Sequence, residues 1–180
     1  MKNLNEETIK KESIFTGRII DLSVHEVKRP DGKTSKREVV NHPGAVAIIA
    51  FTKEGKLILV KQFRKALEKV IAEIPAGKLE KGEDPLECAK RELEEETGVI
   101  AKAWTPLGSF YTSPGFADEC IYLYLAEGLT EGQAGTDEDE FVEQMEVTLE
   151  EALSMIDEQM IHDAKTVYAI QYWQLKNMMK

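Results

Sequence analysis

The chain has 180 residues, of which 42% are hydrophobic and 31% are charged, and its formal net charge at pH 7 is −10. This length and composition predict one main globular domain, leave room for a small appendage, and exclude a disordered chain. The acidic balance disfavours nucleic acid as a partner, and no stretch approaches the roughly 18 apolar residues that a membrane span requires.

The first half of the chain is rich in strand signals. Residues 15–42 hold two extended segments around Pro30-Asp31-Gly32, which predicts a hairpin or small N-terminal sheet. Residues 44–64 repeat the pattern around Glu54-Gly55. Further strands are predicted at residues 69–74, 103–111, 120–126 and 141–147. Helices are predicted at Pro85–Thr97, Leu149–Asp157 and Ala164–Met178. The order of elements predicts an α+β fold, a mixed sheet covered by a few helices.

The first predicted helix has well-marked ends. Asp84 is a good N-cap, Pro85 suits the first helical position, Glu87 has capping-box spacing, and Gly98 can adopt the left-handed conformation after the last turn. Within these bounds, helical spacing sets an apolar side against an acidic side. The apolar residues are Leu86, Ala89 and Leu93, and the acidic residues are Glu92, Glu95 and Glu96.

The acidic side of this helix has two readings. Glu92 and Glu96 are one turn apart, so their carboxylates can converge on one point. A solvated acidic surface is the ordinary explanation of such a face. The alternative is a hard divalent cation such as Mg²⁺ or Mn²⁺, which prefers oxygen ligands and removes the repulsion between the acids. Spacing alone does not decide between them.

The residues around the helix favour the metal. Residues 77–99, GKLEKGEDPLECAKRELEEETGV, resemble the signature of the Nudix hydrolases. That signature is Gly, five residues, Glu, seven residues, Arg-Glu, an aliphatic, any residue, Glu-Glu, any residue, Gly and an aliphatic. Its fixed positions are filled by Gly77, Glu83, Arg91, Glu92, Leu93, Glu95, Glu96, Gly98 and Val99.

The resemblance implies a metal site with two or three Mg²⁺ ions, or Mn²⁺ as a substitute. Glu92 and Glu96 would be metal ligands, and Glu95 a ligand or a neighbour that acts through water. The carbonyl of Ala76 would be a further ligand. Arg91, whose side chain can reach Glu95 one turn later, would orient the catalytic carboxylates.

Three segments outside the signature resemble the ADP-ribose pyrophosphatase branch of the family. They are YTSPGFADE at residues 111–119, QFR at residues 62–64 and EIPAG at residues 73–77. By this resemblance Arg37 and Arg64 would contact the diphosphate or the nucleotide, Gly115 would line the ribose side, and Glu73 would support the metal or ligand shell. A simple turn and solvated arginines are the alternative explanations.

The acidic run TDEDEF at residues 136–141 has no glycine at the sixth place, which excludes an EF-hand. A solvated loop is the ordinary reading. In the ADP-ribose branch, a loop at this distance after the signature supplies a glutamate that deprotonates or positions the attacking water. The resemblance assigns that role to Glu140, with Glu138 in reserve.

The resemblance as a whole implies Mg²⁺-dependent hydrolysis of ADP-ribose to AMP and ribose 5-phosphate. Residues 1–43 would form a small β subdomain that assembles a homodimer and completes the substrate pocket, and residues 44–180 would form the Nudix hydrolase domain. Two alternatives stay open: another nucleoside diphosphate derivative as substrate, such as a nucleotide sugar or dinucleoside polyphosphate, or a non-catalytic ADP-ribose sensor. The intact acids argue against the sensor.

The cysteines and the N-terminal residues indicate a compartment. Cys88 and Cys120 lack C-x-x-C spacing, so neither a zinc site nor a disulfide is expected. The N-terminal segment MKNLNEETIKKES has no apolar signal region. Together these features predict a cytoplasmic protein.

Overall fold

The structure, a computed structural model, describes residues 4–133, 135 and 141–179. It divides into two compact units. The first contains the residues up to Gly44 together with Phe110–Ile121, and the second contains Ala45–Ser109 and the chain from Tyr122 onwards.

The first unit is built on a three-stranded antiparallel sheet in the order β1-β2-β3. Its strands are β1 (Glu7–Thr16), β2 (Asp21–Lys28) and β3 (Thr34–Asn41). The predicted turn between β2 and β3 is confirmed: Gly32 has φ 81°, and its N–H donates to the carbonyl of Arg29 at 2.9 Å. A positive φ is a conformation that glycine adopts without a steric penalty.

Strand β1 was not predicted, because its sequence, ETIKKESIFT, is largely polar and shows no clean alternation. All of its residues are exposed. It is a strand because its backbone pairs along β2, from Glu7 opposite Lys28 to Thr16 opposite Asp21. Pairing with a neighbour here overrides a weak local preference.

The segment Phe110–Ile121 belongs to the first unit, where it is fixed to the end of β3. The N–H of Val40 donates to the carbonyl of Phe116 at 2.8 Å. The carboxylate of Asp118 accepts from the Asn41 amide and from the backbone N–H of His42, each at 2.7 Å. Burial opposes ionisation of Asp118, but these hydrogen bonds outweigh it and lower its pKa.

The second unit contains the helices and the remaining strands of the described chain, except the last two residues of β9 and the first two of β10, which belong to the first unit. The strands are β4 (Ala45–Ala50), β5 (Leu57–Arg64), β6 (Lys69–Glu73), β7 (Ala76–Lys78), β8 (Val99–Ile100), β9 (Ala103–Tyr111), β10 (Cys120–Glu127), β11 (Thr130–Glu131) and β12 (Glu143–Val147). The helices are α1 (Pro85–Thr97), α2 (Leu149–Asp157) and α3 (Ala164–Met178). The sheets have the orders β7-β4-β10-β9, β12-β5-β6 and β11-β8. The predicted α+β class is confirmed, and the helix bounds agree with the sequence.

Helix α1 lies against the core of this unit. Ala89 and Leu93 are buried, as the apolar spacing predicts, and Cys88 joins them in a cluster with residues of β4 and β5. Leu86 is only half-buried. The side chain of Asp84 accepts from the N–H groups of Leu86 and Glu87, so α1 begins where its cap predicts.

The other two helices also begin at predicted caps. Thr148 and Glu151 form a reciprocal capping box at α2, and Asp163 accepts from the N–H of Thr166 at α3. No helix in the described part of the chain is long and apolar enough to cross a membrane.

Candidate active site

The acidic side of α1 is not a solvated face. Glu92 and Glu96 are only 9% and 8% exposed, whereas the side chain of Glu95 is 40% exposed. Isolated buried carboxylates are unfavourable, so each needs a compensating partner. The structure supplies those partners from α1 itself and from the chain just before it.

Arg91 gathers the acids of the signature. Its guanidinium lies 2.8 Å from Glu92, 2.9 Å from Glu95 and 3.1 Å from Glu83. Burial alone would lower the pKa of Arg91, but the carboxylates outweigh it and raise the pKa, so the arginine stays charged. In turn, hydrogen bonding from Arg91 lowers the pKa of Glu83. The contact predicted between Arg91 and Glu95 is present.

The backbone just before the loop and helix of the signature lies against the two buried acids. The N–H of Ala76 donates to Glu96 at 3.0 Å. At Gly77 a Cβ atom would fall 1.8 Å from the carboxyl carbon of Glu92, so only glycine leaves room for that carboxylate. The sequence indicated a close approach at Gly77, but not that Glu92 is what approaches it.

These donors suit a hard divalent ion. Among the residues that the structure describes, no three His, Cys, Asp or Glu side chains are placed to hold an ion by themselves. Mg²⁺ is commonly held through one or two carboxylates, with water and substrate phosphates completing its shell. Glu92 and Glu96, buried beside the backbone of Gly77 and Ala76, are the residues that could hold such an ion.

A second charged cluster lies at Glu73, which is 1% exposed. Arg64 donates to both carboxylate oxygens of Glu73, from Nε at 2.6 Å and from Nη2 at 2.8 Å. The ammonium of Lys165 contacts the same carboxylate and also lies 2.9 Å from Asp163. Burial favours the neutral form of Glu73, but Arg64 and Lys165 outweigh it and lower the pKa.

Arg64 and α1 are electrostatically coupled. The hydrogen bond with Glu73 raises the pKa of Arg64, and the charge of Glu96 adds to that rise. Sequence reasoning missed Lys165. The available signal was its position in the first turn of a helix, where a cation opposes the helix dipole and calls for an acidic partner.

Two further predicted residues, Arg37 and Gly115, belong to the first unit. Arg37 in the first unit pairs with Glu6, at 2.9 Å from Nε and 2.5 Å from Nη2. Gly115, also in the first unit, has open space where a Cβ atom would point. Glu138 and Glu140 lie outside the described residues.

The fold and this arrangement of acids match a known class of protein. The family profile described as NUDIX domain matches residues 41–169, and the one described as nucleoside diphosphate sugar hydrolase N-terminal domain matches residues 6–40. The chain therefore belongs to the Nudix family, whose hydrolases depend on a divalent metal ion.

Two relatives resemble the chain over nearly its whole length. The ADP-ribose pyrophosphatase of Bacillus subtilis (strain 168) is 61% identical, over 100% of this chain and 98% of the relative. The methanol dehydrogenase activator of Bacillus methanolicus is 59% identical, over 99% and 98%. A solved structure titled as an ADP compounds hydrolase superposes with a TM-score of 0.85 at 21% identity, over 98% of each chain, which confirms the fold.

Proposed function

We propose that the protein is a Mg²⁺-dependent hydrolase that splits ADP-ribose into AMP and ribose 5-phosphate. The observation that carries the proposal is the pair of buried carboxylates, Glu96 beside the backbone of Ala76 and Glu92 beside that of Gly77. The full-length similarity to an ADP-ribose pyrophosphatase supports the choice of substrate.

The acids have distinct proposed roles. Glu92, Glu96 and the Ala76 carbonyl would hold Mg²⁺, and the more exposed Glu95 would contribute directly or through water. Two or three Mg²⁺ ions, or Mn²⁺ in their place, would neutralise diphosphate charge and acidify a bound water. Arg91 orients the carboxylates of Glu92 and Glu95 by contacting both of them. Glu140 is proposed to take the proton of the attacking water.

Substrate contacts are proposed for Arg64, Arg37 and Gly115, and a supporting role is proposed for Glu73. Arg64 faces the diphosphate, because an arginine fork suits phosphate oxygens and its side chain is 40% exposed. Glu73 supports Arg64 by accepting its two hydrogen bonds, and it is too buried to contact a ligand over much of its own surface. Arg37 would contact the nucleotide and Gly115 would line the ribose side.

The N-terminal region, residues 1–43, is proposed to assemble a homodimer and to complete the substrate pocket of the Nudix domain, residues 44–180. Support comes from β1, a fully exposed strand that includes Ile9, Ile14 and Phe15. Exposed apolar side chains on an unpaired strand edge are typical of a surface that another chain covers.

The cytoplasm is the proposed location, supported by the two cysteines, both of which are free.

Two other functions have specific support. A nucleotide sugar as substrate is supported by the profile that matches residues 6–40. An activator of another enzyme is supported by the relative that is named a methanol dehydrogenase activator. The complete set of signature acids in α1, of which Glu92 and Glu96 are buried, favours catalysis over a sensor that only binds.

One assay separates these functions. Purified protein with Mg²⁺ is incubated with ADP-ribose, ADP-sugars, GDP-mannose, NADH and nucleoside triphosphates, and the phosphorylated products are identified. We expect AMP and ribose 5-phosphate from ADP-ribose at the highest kcat/KM. If the protein prefers another diphosphate, that compound replaces ADP-ribose as the proposed substrate. If it hydrolyses none of them, a non-catalytic ADP-ribose sensor is favoured. The activator is tested separately, by whether the protein raises the turnover of a methanol dehydrogenase.

A further inference from the structure

Lys165 is a nearly buried cation with no part in the Nudix signature. It lies in the first turn of α3, its side chain is 10% exposed, and it contacts Glu73, 92 residues earlier in the chain. A lysine at this end of a helix opposes the helix dipole, so the helix gains nothing from the charge. The neighbouring carboxylates of Glu73 and Asp163 account for its presence.

The geometry of Arg64 shows what the shared carboxylate does. Nε and Nη2 of Arg64 both donate to Glu73, so the guanidinium is held along one edge. Neither bond uses Nη1, which lies on the opposite edge, and the Arg64 side chain is 40% exposed. The outer edge of the guanidinium is therefore available to an anion, and its orientation depends on Glu73.

Arg64 alone is a weak anchor for that orientation. A carboxylate as buried as Glu73 is strongly desolvated, and a partly exposed arginine can turn toward water or toward a ligand. Lys165 is less exposed and is itself held by Asp163 at 2.9 Å, so it fixes one oxygen of Glu73 whichever way Arg64 moves.

We infer that Lys165 is a positioning residue: acting through Glu73, it holds the Arg64 guanidinium edge-on, with its outer edge facing the diphosphate of the substrate. The identity of the ligand in this inference rests on the proposed function, whereas the contacts among Lys165, Glu73 and Arg64 do not depend on it. Lys165 itself touches neither substrate nor metal.

The first experiment compares Lys165→Met with Lys165→Arg. Loss of Arg64 orientation should raise KM for ADP-ribose by about tenfold, within the range measured for coupled neighbours, while kcat changes little. Lys165→Arg should restore most of the affinity. The matched control is Lys176→Met on the same helix, where the ammonium lies 3.8 Å from Glu127 on the surface. An unchanged KM in Lys165→Met would overturn the inference.

A double-mutant cycle tests whether Lys165 acts through Arg64. In an Arg64→Ala background, Lys165→Met should raise KM no further, because the side chain that it positions is gone. Full additivity of the two changes would mean that Lys165 acts by another route and would overturn the inference. If Lys165→Met does not fold, which thermal unfolding reveals, Lys165→Gln replaces it in both experiments.

A spectroscopic measurement needs no substrate. In ¹⁵N-arginine-labelled protein, the Nε–H signal of Arg64, assigned by its loss in Arg64→Lys, should exchange slowly with water because it is bonded to Glu73. The signal should exchange fast in Lys165→Met and stay protected in Lys165→Arg and Lys176→Met. Failure of the wild type to hydrolyse ADP-ribose would refute the proposed function, whereas protection that survives Lys165→Met would refute the positioning role.

Discussion

Two charged networks meet at residues 73–77, and they differ in their balance of charge. In the network of Arg91, one cation faces the three carboxylates of Glu83, Glu92 and Glu95. In the network of Glu73, two cations, Arg64 and Lys165, share one buried carboxylate, with Asp163 beside the lysine. The first network has an excess of acid, whereas the second is neutral as a whole.

The difference indicates what each network can do. Excess negative charge in a buried place is tolerated when a metal ion removes it, so the network of Arg91 is suited to bind cations. A neutral network gains little from another ion, but its matched pairs hold a guanidinium in one direction. The short segment between them would let the proposed metal site and the proposed phosphate contact share one piece of backbone.

The largest effect is expected for Glu96→Gln, which removes the charge of the second buried acid of α1, next to the acidic network, and keeps the size of the side chain. Metal-ion stabilisation of a transition state contributes several kcal/mol, so kcat for ADP-ribose should fall on the order of a thousandfold. The fold should persist, because the amide oxygen can still accept from the N–H of Ala76. Steady-state kinetics with saturating Mg²⁺ and thermal unfolding measure the two effects.

The control for this change is Glu87→Gln on the same helix, where the carboxylate is exposed and pairs with Lys90 at 2.7 Å. It should leave kcat and stability unchanged, because exposed pairs contribute little. Equal activity in Glu96→Gln and the wild type would remove Glu96 from the site.

A substitution in the neutral network should lower the free energy of unfolding of the protein. Glu73→Gln leaves Arg64 and Lys165 without their counter-charge, and breaking a buried pair in this way costs about 3 kcal/mol of the free energy of unfolding. Glu143→Gln, which removes an exposed partner of Lys61, should change it by less than about 0.5 kcal/mol. Urea denaturation of both variants measures the difference.

The same variant has a predicted pH dependence. Because the pKa of Glu73 is lowered from 4.5 in the folded protein, its stabilisation is complete above that value and is lost as pH falls through the folded pKa. The stability gap between wild type and Glu73→Gln should therefore hold steady at neutral pH and narrow as the pH falls below 4.5. A gap that stayed constant, or widened on acidification, would show that the charge of Glu73 is not what stabilises the fold.

The acidic network was largely predictable from sequence, and the neutral one was not. Caps at Asp84 and Gly98 define α1, and a period of 3.6 residues then fixes which acids share a side. The contact of Arg91 with Glu95 follows from the same period. Local rules were sufficient because the residues concerned lie within a few turns of one helix.

Lys165 lies far from Glu73 in the chain, and no local rule relates the two. Their contact depends on how α3 packs beside the end of β6, which is a property of the tertiary fold. Strand β1 is a similar case, since its pairing with β2 and not its composition makes it a strand. The unpredicted features are those that long-range packing decides.

Gly77→Ala is expected to change stability least among the site variants. It tests the segment between the two networks, residues 73–77. The added methyl would meet the end of the Glu92 side chain, which can swing aside, so stability should fall by less than about 1 kcal/mol. The displaced carboxylate should weaken metal binding, and the Mg²⁺ concentration for half-maximal activity should rise about 10- to 100-fold. A magnesium titration of activity measures this shift. Wild-type Mg²⁺ dependence in Gly77→Ala would mean that Glu92 binds no metal from the position it occupies beside Gly77.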